Sequence, residues 1–150
     1  MYPRGMSLAQ ELKTALADVV TLNHRIQGFH WNVTGPDFAQ YHELFSEIYE
    51  DVDGSVDPLA ENIRKIGEFS PFRLIEFAQL RTIKETDIDS TDPMDMVRDL
   101  VMANDMVISQ IKKAFNAATA EDEQGIANFL SDREDMHKKW RWQLRATLGM

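Results

Sequence analysis

Apolar residues recur every three or four positions along almost the whole chain, and strand-like alternation is nowhere sustained. That periodicity commits the chain to amphipathic helices with one buried face each. Leu12, Leu16, Val19, Asn23, Ile26 and His30 follow one another at intervals of 4, 3, 4, 3 and 4. They define a first helix from about Ser7, a plausible N-cap, to about Asn32, stopped by Gly35-Pro36. Gly28 inside it costs about 1 kcal/mol against Ala, so a close approach by another group is expected there.

A second helix starts with Pro36-Asp37 in its first turn, where proline and an acid are favoured. Phe38, Phe45, Ile48, Val52, Val56, Leu59, Ile63 and Ile66 mark its expected buried stripe, and Gly67 ends it. Pro58, just after Gly54-Ser55, should kink or split this helix because it lacks an N–H and its ring crowds the preceding turn. Residues 68–91 then form a long irregular connection with a short helix expected at Leu74–Leu80 and an acidic run at Glu85, Asp87 and Asp89. Connections of this length usually have a role.

Asp92-Pro93 opens a third helix, with Val97, Leu100, Val101, Asn104, Val107, Ile108, Ile111, Phe115 and Ala118 inward and an end near Thr119–Ala120. The fourth runs from about Glu121 to Leu148, with Ile126, Leu130, His137, Trp140, Leu144 and Leu148 inward. Four such helices make an all-α four-helix bundle, and the long link between the second and third allows a crossover along its length. A length of 150 residues suits one domain, residues 1–150, with a real core.

Composition excludes several functions. The chain has no cysteine, which removes disulfides, thiolate chemistry, cysteine-bound zinc and iron–sulfur clusters. Neither an apolar leader at the N-terminus nor a run of about 18 apolar residues is present, so a cytoplasmic protein with no membrane role is expected. The formal net charge of −9 disfavours a surface made to grip phosphate backbones and favours cations. Arg4 is the one basic residue before the first helix, and Lys138, Arg141 and Arg145 on the last helix are neighboured by Asp132, Glu134 and Asp135. DNA binding through basic tails is therefore not expected.

Metal-ligand residue types gather at His30, His42, Asp57 and Glu61. Asp57 and Glu61 are one helical turn apart, and adjacent carboxylates repel unless a cation, a proton or an arginine lies between them. Imidazole and carboxylate donors together suit iron, manganese or zinc. Structural roles are also open: Asp57 as the cap of a helix restarted at Pro58, Glu61 paired with Arg64 or Lys65, and each histidine hydrogen-bonded in the core. His24 and His137 read as packed or hydrogen-bonded. The 15 residues from His42 to Asp57 span roughly 20 Å of helix, too far for shared ligation within one rod. A two-fold dimer, placing His30 and His42 of one chain against Asp57 and Glu61 of another, removes that difficulty.

The segment Gly28-Phe29-His30-Trp31-Asn32-Val33-Thr34-Gly35-Pro36-Asp37-Phe38, then His42-Glu43 and Phe45, then Asp57-Pro58 with Ala60-Glu61 and Ile66-Gly67, resembles the Dps family, the mini-ferritins. The resemblance covers most of the chain. It implies a ferritin-like bundle with a short extra helix between the second and third helices, assembled as a hollow dodecamer. It also implies oxidation of Fe(II) by peroxide or oxygen at an intersubunit ferroxidase centre and storage of ferric iron, with protection against oxidative damage. On this resemblance His30 and His42 supply nitrogen ligands, Asp57 and Glu61 supply carboxylates from the partner, and Trp31 lies beside the site. A shell that sequesters metal or coats DNA without turnover is the alternative. The family usually carries an acid four residues after the second histidine; this chain has Ser46, with Glu47 and Glu50 as the nearby acids open to that role. Pro58 inside the acidic element is a second departure.

Overall fold

The computed structural model describes residues 6–150, so Arg4 lies outside the described residues. Six helical segments follow in order: α1 (Leu8–Asn32), α2 (Phe38–Gly54), α3 (Val56–Lys65), α4 (Leu74–Leu80), α5 (Pro93–Ala120) and α6 (Gln124–Thr147). No strand occurs among the described residues. The four rods of the bundle are α1, α2 with α3, α5 and α6. The long helices α5 and α6 pack together, while α1 lies against α5 on one side and against α2, α3 and α4 on the other.

The ends of these helices follow from local chemistry. Ser7 and Gln10 form a reciprocal capping box on α1, and the Glu121 carboxylate accepts a further bond from the Leu8 amide at 2.7 Å. Asp92 caps α5 by accepting from the Met94 amide at 2.9 Å, with Pro93 as the first helical residue. At the end of α3, Glu68 N–H donates to Ile63 O and Gly67 N–H to Arg64 O. This closing motif needs a left-handed residue, and Gly67 supplies it at φ +86°.

The second rod is split rather than merely bent. The break falls at Ser55, whose N–H and hydroxyl both turn back to Val52 O. Pro58 cannot donate to Gly54 O and would crowd it, so the helix ends there and restarts at Val56. Asp57 lies in the first turn of α3, next to its Ser55 cap, and makes no capping bond.

The crossover is held down by two polar straps. Asp18 on α1 is fully buried and accepts from Thr82 N at 2.7 Å, Thr82 Oγ1 at 2.7 Å and Ile83 N at 3.2 Å. Arg25, also on α1, donates to Lys84 O and to Asp99 of α5, whose other oxygen accepts from Thr86 Oγ1. Burial raises the Asp18 carboxyl above its ordinary range, with the bonds from Thr82 and Ile83 offsetting part of that rise.

Some expectations change: α2 opens at Phe38 with Asp37 as its cap, so Pro36 and Asp37 precede the helix rather than filling its first turn. Phe38 is 43% exposed rather than part of the buried stripe, because it opens α2 at the rim of the bundle. A Cβ on Gly28 would meet nothing within 4 Å, so no group of this chain approaches it closely; it lines an open cleft of about 330 Å³ beneath the crossover. The last helix begins at Gln124, since Glu121–Glu123 are used to close α5, with Asp122 left-handed at φ 59°.

Candidate metal centre

His30, in the last turn of α1, and His42, in the second turn of α2, meet across the short link between those helices. Gly35, at φ +124°, makes the turn that folds α2 back on α1. The two imidazoles stack with centroids 3.8 Å apart and planes 14° from parallel. Each ring also binds the other residue's backbone: His30 Nδ1 lies 2.8 Å from His42 O, and His42 Nδ1 lies 2.8 Å from His30 O. A carbonyl oxygen only accepts, so both Nδ1 atoms carry the proton and both Nε2 atoms keep a lone pair. Neither Nε2 has a hydrogen-bond partner among the described residues. Nδ1–H anchored on a backbone carbonyl, with Nε2 left free, is the arrangement that orients an imidazole as a metal ligand.

Aromatic rings complete this edge. Phe38 stacks on His42 with centroids 4.9 Å apart, so three rings lie in series: Phe38, His42, His30. The helical stripe misassigned Phe38 to the core; its position four residues before His42, one turn away, is the signal for this contact. Trp31 is 66% exposed, which leaves it beside the histidines rather than packed in the interior.

Asp57 and Glu61 are placed differently. Both are exposed on α3, and neither forms an ion pair or a side-chain hydrogen bond among the described residues. Arg64 instead donates to Glu68 O, so the pairing of Glu61 with Arg64 is not what occurs. Within one chain no three His, Asp or Glu side chains come close enough to hold a metal ion among the described residues. One chain therefore brings the two imidazoles together and leaves the two carboxylates apart from them. Ser46, one turn after His42, is half-buried; Glu47 and Glu50 are exposed.

The remaining histidines have other partners. His24 is exposed, with Nδ1 2.9 Å from Val20 O. His137 is fully buried and hydrogen-bonded, as expected, within a wider polar network that includes Asp51 and Arg133. The Asp51 carboxylate accepts two bonds from Arg133, at 3.0 and 2.9 Å, and one from Trp140 Nε1 at 2.7 Å. Arg133 also approaches His137 Nε2 at 3.4 Å. His137 Nδ1 pairs with Asn104 Oδ1 at 2.8 Å, while Asn104 Nδ2 donates to His137 O. Burial, reinforced by the Arg133 cation, holds the His137 pKa down at about 3. Burial pushes Asp51 upward, but the bonds from Arg133 and Trp140 outweigh it and leave its carboxyl below the usual range.

The helix order, the long crossover and a polar edge at the α1–α2 corner define a ferritin-like helical bundle, and the family model of the ferritin-like domain matches residues 9–150. A DNA protection during starvation protein of Brevibacillus brevis is 33% identical over 139 residues, covering 91% of each chain. The crystal structure of a Dps protein from Bacillus brevis superposes with a TM-score of 0.89 at 31% identity, covering 94% of both chains. A Dps protein from Vibrio cholerae O1, described as a member of a broad superfamily of ferritin-like diiron-carboxylate proteins, is 28% identical with a TM-score of 0.89, covering 94% of this chain and 88% of its own. The chain belongs to the Dps family.

Proposed function

We propose that this chain oxidises Fe(II) at a centre shared between two copies and stores the ferric product inside a hollow, dodecameric shell. The observation that carries this reading is the histidine pair, with both Nδ1 protons anchored on backbone carbonyls and both Nε2 lone pairs free. His30 and His42 bind the incoming Fe(II) through Nε2. Asp57 and Glu61 of a second copy supply oxygen donors and two negative charges, which balance a divalent cation. The unpartnered state of these acids in one chain fits a role completed only on assembly. The neutral imidazoles need lose no proton to bind metal, so their orientation survives loading. Electrons pass from Fe(II) to oxygen or hydrogen peroxide, and removing both reagents is the source of oxidative protection. A cytoplasmic setting suits this chemistry, and no helix among the described residues is long and apolar enough to cross a membrane.

Ser46 favours a second reading, a shell that sequesters iron with little turnover. It places a hydroxyl one turn from His42, where a carboxylate would add charge for a further ion. Coating of DNA gains no support from the last helix, where Lys138 pairs with Glu134 and Arg141 with Asp105.

Anaerobic loading with Fe(II), followed by peroxide or oxygen, separates the two readings through the growth of ferric absorbance. The wild type is expected to oxidise iron faster than the His42→Ala, Glu61→Ala double variant. Equal rates remove the catalytic reading.

A further inference from the structure

Asn23 interrupts the apolar stripe of α1 between Val19 and Ile26, and it is only 5% exposed. Its Nδ2 donates to Asp53 Oδ1 of α2 at 3.0 Å. A carboxylate only accepts, so this bond fixes which end of the carboxamide is oxygen. Asn23 Oδ1 is then left buried with no hydrogen-bond partner among the described residues. The other buried atoms in that state, Arg133 Nε and Arg141 Nε, belong to guanidinium groups already paired with Asp51 and Asp105. Asn23 Oδ1 is thus the one unmet acceptor. A buried carbonyl oxygen without a donor costs free energy and calls for an explanation. An apolar side chain would have completed the stripe without that cost.

The surroundings of that oxygen are negative. Nδ2 and Oδ1 share one carbon, so the free oxygen lies beside the Asp53 carboxylate. Asp53 is exposed, and no lysine or arginine pairs with it among the described residues. Asp57 follows four residues later. Ser55 between them keeps helical dihedrals, φ −87° and ψ −12°, so the turn carries on through the break and Asp57 stays on the face of Asp53. Asp51, two residues before Asp53, faces the other way, where Arg133 holds it. We infer that Asn23 Oδ1, Asp53 and Asp57 form a site for a hard divalent cation, Mn²⁺ or Fe(II), within one chain. Two carboxylates balance the charge, the amide oxygen is a neutral third donor, and water completes an all-oxygen shell of the kind such ions take. The bond from Nδ2 to one carboxylate oxygen orients the amide and leaves the other carboxylate oxygen to the ion. Only two of the three donors are acids, in keeping with the absence of any trio of His, Asp and Glu side chains among the described residues. The site needs neither histidine nor a second copy, and it shares only Asp57 with the centre proposed above.

Mn²⁺ binding to the full chain tests this, read by calorimetry and by loss of the free-ion electron paramagnetic resonance signal. Zn²⁺, a redox-silent probe for nitrogen and oxygen donors, reports the histidine pair separately. Asp53→Asn is expected to lower Mn²⁺ stoichiometry by one ion per chain. His30→Ala combined with His42→Ala should leave that ion in place while removing zinc from the histidine corner. Asn23→Leu, which completes the apolar stripe, should weaken Mn²⁺ binding about 10- to 100-fold without lowering the urea midpoint. If Asn23→Leu fails to fold, Asp53→Asn, a change at an exposed position, decides alone. Mn²⁺ binding that Asp53→Asn leaves unchanged overturns the site. Loss of the same ion from the double histidine variant assigns it to the histidine pair and overturns the site as well. A wild type whose zinc binding ignores the histidines, while its Mn²⁺ still depends on Asp53, supports the site and removes the shared centre.

Discussion

Two histidine sites in this molecule are built from similar parts and end in opposite states. At the bundle interior, His137 has both ring nitrogens engaged, Nδ1 with Asn104 and Nε2 with Arg133. At the α1–α2 corner, His30 and His42 each engage Nδ1 alone. The carboxylates differ in the same way. Asp51 accepts three bonds from Arg133 and Trp140, whereas Asp57 and Glu61 are exposed and unpaired among the described residues. A polar group buried in a bundle must be satisfied by its own chain, and the interior network pairs its groups internally, Arg133 Nε excepted, and serves packing. A polar group at a rim can leave its remaining valence to something outside the chain. Ligand-type residues alone do not mark a candidate metal site, and neither does a fixed tautomer, which exposed His24 shares; two such rings stacked 3.8 Å apart distinguish this corner.

The largest expected effects come from breaking the closed site. Asp51→Ala leaves the Arg133 guanidinium partly buried without its carboxylate and removes the acceptor of Trp140 Nε1. A loss of about 3 kcal/mol in unfolding free energy is expected, read by urea titration. His42→Ala should cost about 1 kcal/mol or less by the same assay, because that ring is only half-buried, yet abolish zinc binding. If the two variants lose equal stability, the distinction between a structural and an open site fails.

Acidification discriminates next. The His137 pKa is lowered from 6.5 to about 3 in the fold, so the unfolded chain binds its proton first as pH falls. The contribution of neutral His137 is whole above pH 6.5 and declines between there and about pH 3, at up to about 1.4 kcal/mol per pH unit. Asp51, whose folded pKa is lowered, loses its contribution only below the ordinary carboxylate value of 3.8. Asp18 runs the other way: its raised folded pKa favours the fold below 3.8, and that benefit is lost as pH rises through the folded value. Urea titrations at pH 7, 5 and 4 should show a slope that His137→Gln flattens. An unchanged slope in that variant would place the acid sensitivity elsewhere.

The bundle was legible in the sequence because buried faces repeat at helical spacing and the caps are local. Ser7, Asp92-Pro93, the Leu74–Leu80 helix and the Gly67 stop all stand where the pattern puts them. The break at Pro58 was legible too, though its position at Ser55 depends on which carbonyl the proline ring would strike. The pairing of His30 with His42 follows from two helices meeting at a tight turn. The reciprocal backbone bonds do not, since they depend on ring orientation. Asp18 and the Asp51–Arg133–His137 network escaped notice because their partners are 33 to 89 residues away in sequence. An acid among apolar positions of α1 was the available clue to Asp18.

Phe38 offers a smaller and more local way to sharpen the contrast. Its ring stacks on His42, which also stacks on His30. Phe38→Ala should weaken zinc binding about tenfold, the low end for a group that orients a ligand without touching the metal. Phe38→Tyr keeps the stack and should restore affinity. Since Phe38 is 43% exposed, neither change should alter the urea midpoint much.

Ser46 carries the smallest expected effect and decides what the open site lacks. The proposed donors are two neutral imidazoles and two carboxylates, whose combined charge matches one divalent ion. Ser46 lies one turn beyond His42, half-buried, and adds no charge. Ser46→Asp introduces a third carboxylate on the histidine side of the centre, so zinc stoichiometry per chain should rise, or affinity should increase by less than about tenfold at fixed stoichiometry. Iron oxidation should quicken in the same variant. If neither binding nor oxidation changes, Glu47 or Glu50 already supplies that charge, and Glu47→Gln and Glu50→Gln in turn identify which by loss of zinc affinity.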